Sequence, residues 1–119
     1  MATGSRMAIQ SDIAGVFAAL GDPTRLAVVE RLGRGPASVS DLSAPFDMAG
    51  PSFLKHLRVL EAAGIVTSEK RGRVRTVQLS PEALDWVEDW VTQHRRRWVR
   101  RLDDLDALAG HGIAIARDD

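Results

Sequence analysis

From Pro51 to Gly64 the sequence reads as a helix, and projecting it at about 100° per residue separates two kinds of side chain. Phe53, Leu54, Leu57 and Leu60 fall on one side; Ser52, Lys55 and His56 fall on the other. The first set seats a helix on a core. The second is a row of hydrogen-bonding groups of different reach. Ser52 donates or accepts at a base edge or phosphate, Lys55 reaches a phosphate or a guanine, and His56 donates through either ring nitrogen, depending on tautomer. Arg58 lies on the flank and suits a phosphate, and Val59 also projects outward, which amphipathicity alone does not explain. Further along, Lys70, Arg71, Arg73 and Arg75 cluster about Gly72 in a β-prone stretch. Each feature has a plainer reading: a solvated helix face, or a charged hairpin tip that deters edge-to-edge aggregation. In succession they point to double-stranded DNA, with cations on phosphates and the helix face on base edges.

The charge distribution agrees. The net charge of the 119 residues is zero, yet between Gly50 and Ser80 six Lys/Arg face only Glu61 and Glu69. The flanking segments are acidic in balance. A phosphate backbone responds to that local field rather than to the total. With no cysteine, disulfides, thiolate metal sites and thiol chemistry are excluded. No run is apolar enough to span a membrane and no signal-peptide layout opens the chain, so the expected location is cytoplasmic. No nucleophile–base–acid set and no phosphate-cradling glycine loop is present, so no enzyme and no cofactor is expected.

The elements that must position these residues follow from periodicity and punctuation. Residues 1–8 read as a flexible or expression-derived start. Ile9, Ile13, Val16, Phe17 and Leu20 recur at helical spacing and Gly21 stops them. Asp22-Pro23 is an N-cap followed by proline at the first helical position, opening a helix with Leu26, Val29 and Leu32 as its stripe. Ser38-x-x-Asp41 resembles a capping box and opens a short helix over Val39 and Leu42. Phe46–Gly50 is a turn, and the Pro51–Gly64 helix follows. Ile65–Lys70 and Val74–Leu79 are two β-prone runs joined by Arg71-Gly72-Arg73. After Ser80-Pro81-Glu82 a long helix carries Leu84, Val87, Val91, Trp98, Leu102 and Leu105, and residues 109–119 read as a frayed tail. The expected fold is therefore mainly α with a β-hairpin wing: a winged helix-turn-helix over residues 9–108.

Phe17-Ala18-Ala19-Leu20-Gly21-Asp22-Pro23-Thr24-Arg25 and Lys55-His56-Leu57-Arg58-Val59-Leu60-Glu61-Ala62-Ala63-Gly64-Ile65-Val66, with Arg71-Gly72-Arg73 beyond them, resemble the ArsR/SmtB family of winged-helix repressors. The resemblance covers roughly residues 9 to 108. It implies a dimer formed through the first and last helices, control of its own or an adjacent operon, and release or retention of DNA under a signal. The family's metal-sensing members carry Cys-x-Cys where this chain has Ala37–Leu42. A second common site pairs Asp and His on the last helix, where this chain offers Asp85, Glu88, Asp89 and His94 without a second, suitably spaced His. No metal site is expected, and the resemblance is to a metal-free branch.

On the last helix, Trp86 and Trp90 are i, i+4 neighbours, and with Val91, Trp98, Leu102 and Leu105 they form an apolar stripe too broad for a small monomer to hide. Together with Ile9, Ile13 and Phe17 they are the expected dimer interface. An indole-walled pocket for an unidentified small-molecule inducer is the alternative use. Arg95, Arg96, Arg97, Arg100 and Arg101, followed by Asp103, Asp104 and Asp106, read as a salt-bridged solvated face. The expected function is a sequence-specific, dimeric transcriptional repressor at a pseudo-palindromic operator. The competing expectation is a winged-helix protein-interaction module with weak, sequence-indifferent DNA binding.

Overall fold

The computed structural model describes the backbone of residues 5–109 and the side chains of residues 13–108. Its elements are α1 (Ser5–Leu20), α2 (Pro23–Leu32), β1 (Ala37–Ser38), α3 (Val39–Ser43), α4 (Gly50–Ala62), β2 (Val66–Arg71), β3 (Val74–Leu79) and α5 (Pro81–Ala109). This is the expected winged helix-turn-helix order, with α3 and α4 as the helix pair and β2–β3 as the wing. Helix α1 starts at Ser5, ahead of the Ile9 expected from periodicity. Arg6, Met7 and Ala8 are good helix formers, and an apolar stripe reports only where a helix is amphipathic. The expected C-terminal tail lies almost wholly outside the described residues.

Caps set the boundaries. The Asp22 carboxylate, on an extended residue, accepts from the Arg25 backbone N–H at 3.0 Å, with Pro23 in the first turn of α2. Ser38 Oγ accepts from the Asp41 N–H at 3.0 Å and starts α3. Helix α4 ends in a Schellman turn: Ile65 N–H bonds the Leu60 carbonyl and Gly64 N–H that of Glu61, with Gly64 at φ +77°. The wing turns through Gly72 at φ +61° and Arg73 at negative φ, the two-residue geometry that matches strand twist.

The sheet has three strands, in the order β1-β3-β2, all antiparallel. Strand β1 was not legible in the sequence: two residues after Gly35-Pro36 carry no alternation to detect. It pairs Ala37 with Val77 and Ser38 with Thr76, and so joins the wing to the start of α3. The wing register is Val66↔Leu79, Ser68↔Val77 and Lys70↔Arg75. These six side chains share one face of the ribbon.

The core gathers Val16 and Ala19 from α1, Val28 and Leu32 from α2, Leu42 from α3, Phe53, Leu57 and Leu60 from α4, and Ile65, Val66, Val77 and Ala83. Leu54, expected in the core, is exposed: the buried set on α4 runs i, i+4, i+7 from Phe53, and Leu54 lies one step of the helix away from it. The chain divides into two compact units at Val87–Glu88, with α5 contributing to both. Among the described residues no helix is long and apolar enough to cross a membrane.

Candidate nucleic-acid interface

Helix α4 is seated by Phe53, Leu57 and Leu60, each at most 7% exposed, and this burial orients everything else on it. Ser52, Lys55 and Arg58 are exposed, as the sequence predicts. On the wing, Lys70, Arg71, Arg73 and Arg75 are exposed as well, so the two basic features stand clear of the core.

The ribbon sorts its cations by face. Lys70 and Arg75 share the face that carries Val66 and Val77, whereas Arg71 lies on the opposite face and pairs with Glu69 across 3.5 Å. That pair is almost fully solvated, so it contributes little and leaves Arg71 free to exchange partners. Arg73 occupies the turn.

Arg75 is not simply presented outward. Its Nη1 donates to Ser68 Oγ at 3.0 Å, and Ser68 Oγ in turn donates to Glu61 Oε2 of α4 at 3.0 Å. The chain of bonds lies in an open cleft of about 290 Å³ between α4 and the wing, floored by Leu57, Val66 and Val77 and flanked by Arg58.

His56 departs from its expected place on the base-reading face. It is half-buried, and its Nδ1 lies 3.1 Å from Arg25 Nη1. A guanidinium has only donors, so Nδ1 must be the lone-pair nitrogen and the ring proton sits on Nε2. Asp22 Oδ2 lies 3.7 Å from the same Nδ1. The two contacts compete for one nitrogen, and the Arg25 bond prevails, being within hydrogen-bond distance when the other is not. The sequence missed this because position 56 on the helix wheel is read against solvent, and α2 brings Arg25 to meet it there.

Arg25 anchors more than His56. Its Nε donates to the Ala19 carbonyl at 2.6 Å and its Nη2 reaches the Ala18 carbonyl at 3.5 Å, covering two acceptors at the C-terminal end of α1. One side chain thus ties the end of α1 and the start of α2 to the middle of α4. Asp22, beside it, has its carboxyl held below the usual value, chiefly by the backbone N–H of Arg25 and also by the Arg25 guanidinium charge, with desolvation opposing. The Asp22–Arg25 string was legible as part of the family resemblance, but its link to His56 was not.

Two of the expected interface residues pack within the single chain. Ile13 is 8% exposed within the single chain. Trp86 is half-buried against the chain's own core; its indole is the nearest group to Gly64, 3.6 Å from where a Cβ would stand. Ile9 lies outside the residues whose side chains are described. Phe17, Trp90, Val91, Trp98 and Leu105 are exposed, Trp98 to 65%, while Leu102 is intermediate. His94 stacks on Trp90 with ring centroids 4.0 Å apart, and its Nδ1 donates to the Trp90 carbonyl at 2.8 Å. Among the described residues no group of three His, Asp or Glu gathers as metal ligands would.

Comparison with known proteins gives this geometry its class. The helix-turn-helix domain model matches residues 20–69, the span from the end of α1 into β2. The chain is 38% identical over 84 residues to the HTH-type transcriptional regulator Rv2034 of Mycobacterium tuberculosis, covering 71% of this chain and 76% of that protein. It is 33% identical to the regulator NmtR of the same organism, over 84% of this chain and 83% of that one. Among solved structures, an ArsR family transcriptional regulator, RHA00566, is 48% identical with a TM-score of 0.72, over 75% of this chain and 92% of that one. An ArsR-like regulator from Rhodococcus sp. RHA1 is 31% identical with a TM-score of 0.74, over 87% and 97%. The protein is a DNA-binding transcriptional regulator. The chain belongs to the ArsR family of helix-turn-helix regulators.

Proposed function

We propose that this regulator is a dimeric repressor that reads a pseudo-palindromic operator, inserting α4 of each protomer into successive major grooves about one helical turn apart. The observation that carries the reading is the split of α4, whose Phe53, Leu57 and Leu60 are buried while Ser52 and Lys55 are exposed. Ser52 and Lys55 contact base edges; Arg58, Lys70, Arg71 and Arg73 contact phosphates. His56, tied to Arg25, holds the helix rather than reading a base. Two protomers meet through the exposed apolar side chains of α1 and α5, with Phe17, Trp90, Val91, Trp98 and Leu105 as the contacts. Similarity to the transcriptional repressor SdpR of Bacillus subtilis, 28% identical over 84% of that protein, supports repression as the sign of the effect. The protein works in the cytoplasm on its own or an adjacent operon. It needs no metal, and its signal is a small organic inducer.

Selection of duplexes from a random pool by the purified protein tests the reading. A two-fold-related motif should emerge, and Lys55→Ala should weaken binding to it by about ten-fold or more, the scale of one good base contact. Enrichment of no motif, with weak binding to every duplex, would point instead to a protein-interaction module.

A further inference from the structure

The wing is seated on the body of the protein only at its root. Val66 and Val77 are 2% and 1% exposed, but residues 69–76 beyond them are all exposed. No buried side chain therefore fixes the direction in which the outer ribbon points. The last side chains that tie the ribbon to α4 are polar. Ser68 of β2 donates to Glu61 of α4 and accepts from Arg75 of β3. In the antiparallel register Ser68 faces Val77 and Arg75 faces Lys70, so Ser68 and Arg75 are diagonal neighbours on the ribbon face that meets α4.

We propose that Glu61, Ser68 and Arg75 form a brace that fixes the tilt of the wing against the recognition helix, which makes Arg75 a positioning residue and not a phosphate ligand. The chemistry suits that task. A hydroxyl has one proton and two lone pairs, so it can hand on a hydrogen bond between a carboxylate and a guanidinium, and both bonds are charge-assisted. The brace crosses all three segments that must stay aligned: the last turn of α4 and both strands of the wing. Its position gives it leverage. Gly72 lies four residues beyond Ser68, or about 13 Å along an extended strand. A 10° swing at the brace moves the tip by about 2 Å, the difference between a phosphate hydrogen bond and none. The Arg75 guanidinium already engages its Nη1 with Ser68 within the protein, whereas Arg73 is carried at the tip.

The inference rests on the DNA-binding reading above, and the experiment separates the two. Affinity for the selected duplex is measured across a salt series for the wild type and for Arg73→Ala, Arg75→Ala, Ser68→Ala, Ser68→Thr and the Ser68→Ala/Arg75→Ala double variant. A lost phosphate contact lowers the slope of log K against log salt by about one. Arg73→Ala should do that. Arg75→Ala and Ser68→Ala should each weaken binding several-fold at unchanged slope, the double variant should be no weaker than either, and Ser68→Thr should bind as the wild type does. A slope reduced by about one in Arg75→Ala, with wild-type binding by Ser68→Ala, would overturn the brace. Amide hydrogen exchange of the free protein supplies an arm that needs no DNA. Ser68→Ala should speed exchange in the outer wing and leave α2 unchanged, and equal wing exchange in variant and wild type refutes the proposal. If the wild type binds no duplex, the functional reading fails while the exchange arm still decides the brace.

Discussion

Replacing Arg25 with alanine should loosen the joint between α1, α2 and α4 without opening a hole in the apolar core. The side chain makes two hydrogen bonds of good length, 2.6 Å to the Ala19 carbonyl and 3.1 Å to His56 Nδ1, and a third at 3.5 Å that counts for little. Hydrogen bonds from a charged donor contribute about 1.5–3 kcal/mol each; the lower figure applies here because the site is only half-buried and water can replace the guanidinium at the carbonyls. Discounted for that replacement, the loss is about 2 kcal/mol, which for a domain of this size lowers Tm by roughly 8 °C. Arg25→Lys should recover little, because one ammonium cannot bridge the α1 carbonyls and the imidazole as a planar fork does. Thermal unfolding followed by circular dichroism measures both variants. A Tm for Arg25→Ala within a degree of wild type would refute the claim that this residue ties the three helices. DNA binding adds a second readout, since a helix released at His56 should lose affinity even where the fold survives.

Three other outcomes test separate parts of the structure. The folded state holds the Asp22 carboxyl below its ordinary value, so the carboxylate stabilises the fold above the unfolded value near pH 4, and that contribution is lost as pH falls through the lower folded value. Asp22→Ala should therefore be less stable at neutral pH and show a shallower acid limb in unfolding measured against pH. Gly64→Ala meets no crowding but must adopt φ +77°, so it should cost about 1 kcal/mol and lower Tm by roughly 4 °C; an unchanged Tm would contradict the left-handed cap. Trp98→Glu places a charge at an indole that is 65% exposed in the single chain, and if the proposed dimer covers it, sedimentation should show a shift to monomer with little change in helical content. A dimer of undiminished strength would remove Trp98 from the interface.

Much of the architecture was written in local chemistry. Asp22-Pro23, Ser38-x-x-Asp41 and Gly64 mark helix ends because each supplies a partner or a backbone angle that a helix end requires, whatever surrounds it. The α4 stripe was readable because burial and helical period coincide there, although Leu54 shows that the period alone is blind to how wide the buried sector is. What escaped the sequence were contacts between elements. Strand β1 exists only because β3 lies beside it, and His56 is polar on a helix wheel whether it faces a groove or Arg25. Ser68 and Glu61 gave no signal at all, since a serine and a glutamate seven residues apart acquire a shared purpose only once the Schellman turn folds β2 back along α4. The packing of Trp86 on its own core was hidden for the same reason: an indole at helical spacing looks alike whether its own core or another chain covers it.

The joint between α4 and β2 is only three residues long, Ala63-Gly64-Ile65, and Ile65 is fully buried. A joint so short and so buried admits no extra residue without dislodging a core side chain or undoing the cap, whereas the turn at Gly72 and Arg73 is exposed and free of such ties. Sequence drift can lengthen or shorten the wing at its tip but cannot change where the wing starts. Relatives of this chain that recognise different operators are then expected to differ in loop length at the tip and in the exposed residues of α4, with the spacing from Leu60 to Val66 held constant. The same asymmetry guides engineering: residues 72–73 accept insertions that the Ala63-Gly64-Ile65 joint cannot.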